Sequence, residues 1–123
     1  MSQATMDKPT MMNKPTQAYD RAKLVELFGD DPATLAEVER EFLDTARVAE
    51  REITGTADVT VIARAAHRLK GASGMIGAAA LRTIAEALER AAKANDLSGV
   101  RRLHETFARE VERVAEQVGA SAV

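Results

Sequence analysis

Apolar residues recur every three or four positions in four long stretches of this chain, and this spacing restricts its fold more than any other feature. Such spacing places the apolar side chains along one face of an α-helix. The first stretch starts at Asp30-Asp31-Pro32, where acidic residues precede a proline, a sequence typical of a helix start. Its apolar positions are Leu35, Val38, Phe42, Ala46, Ala49 and Ile53.

Three more amphipathic helices are predicted further along the chain. The segment Thr54-Gly55-Thr56-Ala57 ends the first helix, and Asp58 can cap a second one that extends to about Ile76. The second, third and last helices carry their own apolar stripes, which are Ile62, Ala66, Leu69 and Ile76, then Leu81, Ile84, Leu88 and Ala92, then Val100, Leu103, Phe107, Val111, Val114 and Val118.

The connections between these helices are predicted to be short. Gly77 is expected to end the second helix, and the third ends near Asn95, where Asp96 or Ser98 can cap the last one. Four helices with such connections predict an all-α fold, an antiparallel four-helix bundle. A short helix within residues 19–28 is expected to lie across one end of this bundle.

The composition changes after the first 17 residues. Residues 1–17 hold four of the five methionines and two of the three prolines, so we expect a flexible N-terminal tail there and the helical bundle domain over residues 18–120. The tail contains two similar tetrads, residues 7–10 and 13–16, and two copies are too few for a repeat fold. A flexible leader is therefore favoured over a docking motif.

Composition also excludes several classes of function. The absence of cysteine excludes disulfides, thiolate metal sites and thiol catalysis, and it suits a cytoplasmic location. No run of about 18 apolar residues is present, and the N-terminus has no apolar signal core, so neither a membrane span nor a secretory signal is expected. The formal net charge of −2, with acids and bases interspersed, disfavours nucleic-acid binding.

The second helix has an unusual solvent-facing side. At about 100° per residue, its apolar stripe faces the core, and the opposite side carries small or ionisable residues, which are Ala63, His67, Lys70, Gly71 and Gly74. A glycine inside a helix costs about 1 kcal/mol relative to alanine. We therefore interpret these outward glycines as clearance for a large partner that approaches His67. The alternative is that the helix frays after Lys70.

The glycines at positions 71, 74 and 77 do not match a known phosphate-binding loop. The lysine and hydroxyl residue that follow the last glycine of a Walker loop are missing, and no strand precedes the segment. Met75 occupies the last position of the nucleophile-elbow pattern, where a glycine is required. Ser73 is instead expected to donate a hydrogen bond back to the carbonyl of Leu69.

His67 and Lys70 together suit phosphoryl chemistry. A neutral imidazole is a good nucleophile near pH 7, because its unperturbed pKa is about 6.5, and an ammonium group can neutralise phosphoryl oxygens. The other imidazole, His104, is predicted to be partly buried and structural. No metal site is predicted, because the two histidines lie on different helices and the chain has neither a cysteine nor an H-E-x-x-H motif. No cofactor site or nucleotide motif is present either.

The chain resembles the histidine-containing phosphotransfer (HPt) domain family over about residues 22–118. The similarity is carried by Ala66-His67-Arg68-Leu69-Lys70-Gly71-Ala72-Ser73, Ile76-Gly77-Ala78, Leu81, Leu88-Glu89, and by the upstream segments Phe28-Gly29-Asp30-Asp31 and Phe42-Leu43. The core motif is fairly specific when it lies in a small helical bundle.

The resemblance implies a phosphorelay carrier without kinase activity of its own. His67 matches the histidine that accepts a phosphoryl group on Nε2 from a receiver-domain aspartyl phosphate and passes it to another response regulator. Lys70 matches the lysine that steadies the phosphoryl group, and Gly71 matches the small residue that leaves room for the receiver. The carrier needs no cofactor, because Mg²⁺ belongs to the receiver partner.

The expected partners are response-regulator receiver domains or a hybrid sensor histidine kinase. Arg64 and Arg68 join Ala63, Gly71 and Gly74 as candidate partner-binding residues, and a monomer is expected. Two alternatives remain: a histidine-kinase dimerisation bundle and a plain helical interaction module. Kinase bundles usually have an acidic residue after the histidine, where this chain has Arg68. An interaction module would tolerate substitution of His67.

Overall fold

The computed structural model describes residues 17–121, which contain six helices and no strand. The helices are α1 (Arg21–Phe28), α2 (Pro32–Thr54), α3 (Val59–Met75), α4 (Ala79–Lys93), α5 (Leu97–Arg102) and α6 (His104–Ser121). Apart from Gln17, the predicted N-terminal tail lies outside the described residues.

Side-chain caps fix several helix starts. The carboxylates of Asp31 and Asp58 accept hydrogen bonds from the backbone N–H groups of Thr34 and Thr60, so α2 and α3 begin where the sequence predicted. The Asp96 carboxylate caps α5 through the N–H of Gly99. Because each cap satisfies a backbone donor that lacks a partner within the helix, it stabilises the helix start by about 1 kcal/mol.

Helices α2, α3, α4 and α6 form the predicted four-helix bundle. The α3 helix packs against α2 and α4, and α6 closes the bundle by packing against the same two helices. The three- and four-residue connections around α3 place consecutive helices side by side and antiparallel. The predicted all-α bundle is therefore confirmed.

The predicted apolar stripes form the core of the bundle. Nearly every stripe residue is buried, and Val38, Ile84 and Leu103 are partly buried at its edges. Burial of each large aliphatic or aromatic side chain contributes roughly 1.5–3 kcal/mol. The core therefore fixes the rotation of α3, and with it the direction in which His67 points.

The last predicted helix is divided into two. Its stripe was expected to be continuous from Val100 to Val118, but the structure separates α5 from α6 at Leu103. The N–H of Leu103 bonds to the carbonyl of Val100, three residues earlier, which is the tighter 3₁₀ pattern. The α-helical spacing of apolar residues is retained across the break, and for that reason the stripe alone did not reveal it.

The short helix α1 lies at the end of the bundle where α3 ends and α4 begins. The N–H of Asp20 bonds to the carbonyl of Ile76 at 3.1 Å, and Lys23 Nζ lies 3.3 Å from the carbonyl oxygen of Gly74. Gly77 has a φ of +73°, and a Cβ atom on it would lie 2.7 Å from Asp20 Cβ. Gly77 therefore ends α3, as predicted, and also permits this close approach.

A buried polar pair secures the same end of the bundle. The Tyr19 hydroxyl donates a hydrogen bond to Glu39, and both side chains are almost completely buried. Burial, together with this hydrogen bond to a carboxylate, raises the pKa of Tyr19. The Arg21 guanidinium lies 3.5 Å from Glu39 and supplies the opposite charge.

No helix within residues 17–121 is long and apolar enough to cross a membrane.

Candidate functional site

His67 projects from the middle of α3 on the side opposite the core stripe. Its side chain is 67% exposed, whereas Ala66 and Leu69 on the other side of the helix are fully buried. The α3 helix continues without interruption through Gly71 to Met75. The alternative that the helix frays after Lys70 is therefore wrong, and the imidazole lies on a continuous helical surface.

Glu89 of α4 joins the two residues predicted from the sequence. The Nδ1 atom of His67 lies 2.9 Å from Glu89 Oε2, and Lys70 Nζ lies 3.0 Å from Glu89 Oε1. Lys93, one turn further along α4, places its Nζ atom 3.1 Å from Glu89 Oε2. The Glu89 side chain is only 7% exposed, so a buried carboxylate lies beneath an exposed imidazole.

These contacts keep Glu89 ionised. Burial alone would raise the pKa of Glu89, but hydrogen bonds from Lys70, Lys93 and His67 outweigh it and lower the pKa to about 2. An ionised carboxylate accepts hydrogen bonds and cannot donate one. When the imidazole is neutral, its proton therefore lies on Nδ1, and Nε2 is unprotonated and directed away from Glu89.

The two glycines of α3 have different surroundings. A Cβ atom on Gly71 would have no other heavy atom of residues 17–121 within 4 Å beyond the local helix backbone, so this position is open. A Cβ atom on Gly74 would contact Arg82 Cδ and Nε at 3.4 Å. The space around Gly71 is therefore open, whereas Gly74 lies next to the Arg82 side chain of α4, and a clearance role for either glycine stays a prediction.

The candidate partner-binding residues surround His67 on α3. Arg64 and Arg68 are exposed, and Arg68 forms an ion pair with Glu52 of α2 at 2.6 Å. Ala63 is partly buried one turn before His67, in a shallow groove shared with Lys93 of α4. Two basic side chains and a small one thus lie around the imidazole.

Two further sequence predictions differ from the structure. His104 was expected to be partly buried, but it lies exposed at the first position of α6. Ser73 was expected to donate to the Leu69 carbonyl, but its hydroxyl is fully buried and has no hydrogen-bond partner among residues 17–121. Helical periodicity predicted neither the exposure of His104 nor the lack of a hydrogen-bond partner for Ser73 within residues 17–121.

Glu89 and Lys93 are site residues to which the sequence analysis gave no role. Glu89 lies within the apolar arc of α4, between Ala85 and Ala92, and an acidic residue at a core position indicates a buried partner. Lys93 follows four residues later, which is the spacing of a helical ion pair. This pattern is visible in the sequence. Within residues 17–121, no cluster of three possible metal ligands is present.

Comparison with protein families agrees with this geometry. The family model of the Hpt domain matches residues 24–117. The chain therefore belongs to the Hpt domain family, whose members are the histidine-phosphotransfer domains of phosphorelays. The match covers α2 to α5 in full and most of α1 and α6. Neither the curated proteins nor the solved structures gave a significant match.

Proposed function

We propose that this protein is a monomeric phosphorelay carrier that accepts a phosphoryl group on Nε2 of His67 from the aspartyl phosphate of a receiver domain. It then passes the group to the aspartate of another response regulator. The observation that supports this most directly is the hydrogen bond from His67 Nδ1 to the ionised Glu89, because it leaves Nε2 as the unprotonated, exposed nucleophile.

The bonds that form and break in the transfer step belong only to this imidazole and to the receiver's phosphoaspartate. The Nε2 lone pair attacks phosphorus, the bond between phosphorus and the aspartate oxygen breaks, and the aspartate leaves with the bonding electrons. The proton stays on Nδ1, and the ring gains positive charge as the N–P bond forms. Glu89 stabilises that charge through the hydrogen bond at Nδ1. The same positive charge makes the ring a good leaving group for onward transfer.

Lys70 is the residue proposed to steady the phosphoryl group. Its ammonium has three N–H donors and here contacts Glu89 Oε1 at 3.0 Å. It lies one helical turn after His67 and is 28% exposed, so it can reach an incoming phosphoryl oxygen. In this proposal Mg²⁺ is held by the acidic residues of the receiver, and the carrier contributes the imidazole and the ammonium.

We propose that Gly71, which has no side chain, leaves room for the receiver to approach His67. It lies four residues after His67, and any side chain there would project onto the surface that the receiver must cover. Ala63, one turn before His67, adds a second small residue to this surface. Arg64 and Arg68 are proposed to contact acidic residues of the receiver.

The direct test is phosphoryl uptake from a labelled, phosphorylated receiver domain. The wild type should become labelled, and His67→Gln should not. Equal labelling of both proteins would overturn the proposal. Incubation with ATP alone should give no label, whereas robust labelling would indicate a kinase. Absence of transfer from a full panel of the host's receivers would favour the helical interaction module.

A further inference from the structure

Two lysines, Lys70 and Lys93, form ion pairs with Glu89, and the proposed function gives a role only to Lys70. Lys93 Nζ lies 3.1 Å from Glu89 Oε2, the same oxygen that accepts the hydrogen bond from His67 Nδ1. The Lys93 side chain is 67% exposed and the Glu89 side chain 7%. An ion pair between two exposed groups contributes little, but here one partner is a buried carboxylate that needs compensation.

Phosphoryl stabilisation by Lys70 changes the charge balance around Glu89. In this structure Lys70 Nζ is bound to Glu89 Oε1. When the ammonium turns towards the incoming phosphoryl oxygens, Glu89 Oε1 loses this ion pair, and before the N–P bond forms the neutral imidazole supplies no positive charge in its place. A buried carboxylate with too little compensation is costly, and it would also repel the doubly negative phosphoryl group.

We propose that Lys93 is a positioning residue that keeps Glu89 compensated while Lys70 turns to the phosphoryl group. This inference rests on the proposed function, since it requires a phosphoryl group on His67. Lys93 acts through Glu89 and makes no contact with phosphorus or its oxygens. Lys93 contacts Glu89 Oε2, the same oxygen that orients the imidazole of His67. Lys93 therefore also limits movement of the Glu89 carboxylate between His67 and Lys70.

A double-mutant cycle separates this role from direct contact. The variants are Lys93→Gln, Glu89→Gln and the two combined. For each, the rate of phosphoryl transfer at saturating phosphorylated receiver and the half-saturating receiver concentration are measured. We expect Lys93→Gln to slow the saturated rate about tenfold, with half-saturation changed less than twofold. When position 89 is glutamine there is no charge to compensate, so Lys93→Gln should change the rate less than twofold.

Two control variants test whether the effect in the double-mutant cycle comes from the positive charge at position 93. Lys93→Arg retains the positive charge and should restore the rate to within about threefold of the wild type. Arg90→Gln removes a basic residue of the same helix, whose exposed ion pair with Glu86 lies outside the site. Its transfer rate should equal that of the wild type. Thermal unfolding of every variant checks that α4 remains folded.

The outcomes are distinct. Equal slowing by Lys93→Gln in the wild type and in the Glu89→Gln variant would show direct action on the phosphoryl group or the receiver, and would overturn the inference. An unchanged rate when Lys93→Gln is made in the wild type would also overturn it. Failure of the wild type to accept phosphate would overturn the proposed function itself. Independently of transfer, a ¹³C NMR titration of the Glu89 carboxyl should show a higher pKa in Lys93→Gln, and an unchanged pKa would contradict the inference.

Discussion

Nδ1 of His67 and Oε2 of Glu89 are 2.9 Å apart, and this contact joins the exposed face of α3 to a buried carboxylate of α4. Because Glu89 is ionised, the contact assigns the proton of the neutral imidazole to Nδ1 and leaves Nε2 unprotonated. The reactivity proposed for His67 thus depends on how closely α3 and α4 pack. Lys70 and Lys93 complete the arrangement by compensating the carboxylate.

Enlarging residue 71 should impede the receiver without unfolding the bundle. Gly71→Gln replaces a helical glycine that has open space around it, so the free energy of unfolding should rise by up to about 1 kcal/mol. Phosphoryl uptake should nevertheless slow at least tenfold at subsaturating receiver, because the new side chain lies one turn from His67. The measurements are urea unfolding and transfer kinetics.

Gly119 of α6 provides the matched control for this change. It is also exposed, and an added Cβ there would have no neighbour within 4 Å among residues 17–121 beyond the local helix backbone. Gly119→Gln should leave phosphoryl uptake unchanged. Normal phosphoryl uptake by Gly71→Gln would refute the clearance role of Gly71. Equal slowing by Gly71→Gln and Gly119→Gln would show that the effect is not specific to position 71.

Removing the ammonium at position 70 should affect transfer more than receiver binding. Lys70→Ala is expected to lower the transfer rate at saturating receiver about 10- to 100-fold, because the cation that balances the phosphoryl oxygens is lost. The receiver dissociation constant should change less than threefold. Isothermal titration and rapid-quench kinetics measure the two effects separately. Equal saturated rates in variant and wild type would exclude a charge-stabilising role.

Acid should remove the stability that Glu89 contributes. The pKa of Glu89 is about 2 in the folded protein and 4.5 for an unperturbed side chain. Because the folded-state pKa is the lower one, the contribution is fully present above about pH 5 and declines as the pH falls towards 2. The shift corresponds to at most about 3 kcal/mol, which solvent screening at the exposed Lys93 and His67 reduces to about 1–2 kcal/mol.

Glu89→Gln isolates this effect. Urea unfolding of wild type and variant at pH 7 should differ by that amount, and the difference should shrink between about pH 5 and pH 2. A difference that stays constant over this range would show that the carboxylate charge does not stabilise the fold.

The buried hydroxyl of Ser73 should be dispensable for stability. It has no hydrogen-bond partner among residues 17–121, and an unsatisfied buried hydroxyl costs about 1–3 kcal/mol. Ser73→Ala also improves helix propensity, and we therefore expect the free energy of unfolding to rise by about 1 kcal/mol. Thermal unfolding by circular dichroism measures the change, and a destabilised variant would show that the hydroxyl makes a bond.

The fold was predictable from the sequence because the apolar stripes are long and regular. The spacing from Leu35 to Ile53 and the Asp58 cap placed α2 and the start of α3 correctly. The break at Leu103 was missed because a single 3₁₀ turn hardly changes the spacing of apolar residues. Local periodicity identifies helices more readily than it identifies short interruptions in them.

The site was predictable only in part. His67, Lys70 and Gly71 share one helix face, so the periodicity of α3 brought them together. Glu89 and Lys93 belong to α4, and their contact with His67 depends on the packing of two helices, which no single stripe determines. The opposite surroundings of Gly71 and Gly74 have the same origin, because only packing brings Arg82 against one of them.

The position of the phosphoryl group on His67 tests the central claim most directly. The protein is phosphorylated by a phosphorylated receiver domain and examined by ³¹P and long-range ¹H–¹⁵N NMR, with His67→Gln as the control. The hydrogen bond to Glu89 predicts a phosphoryl group on Nε2 and a proton on Nδ1 in the wild type, and no phosphohistidine in the variant. Phosphorylation on Nδ1, or on any residue other than His67, would contradict this account.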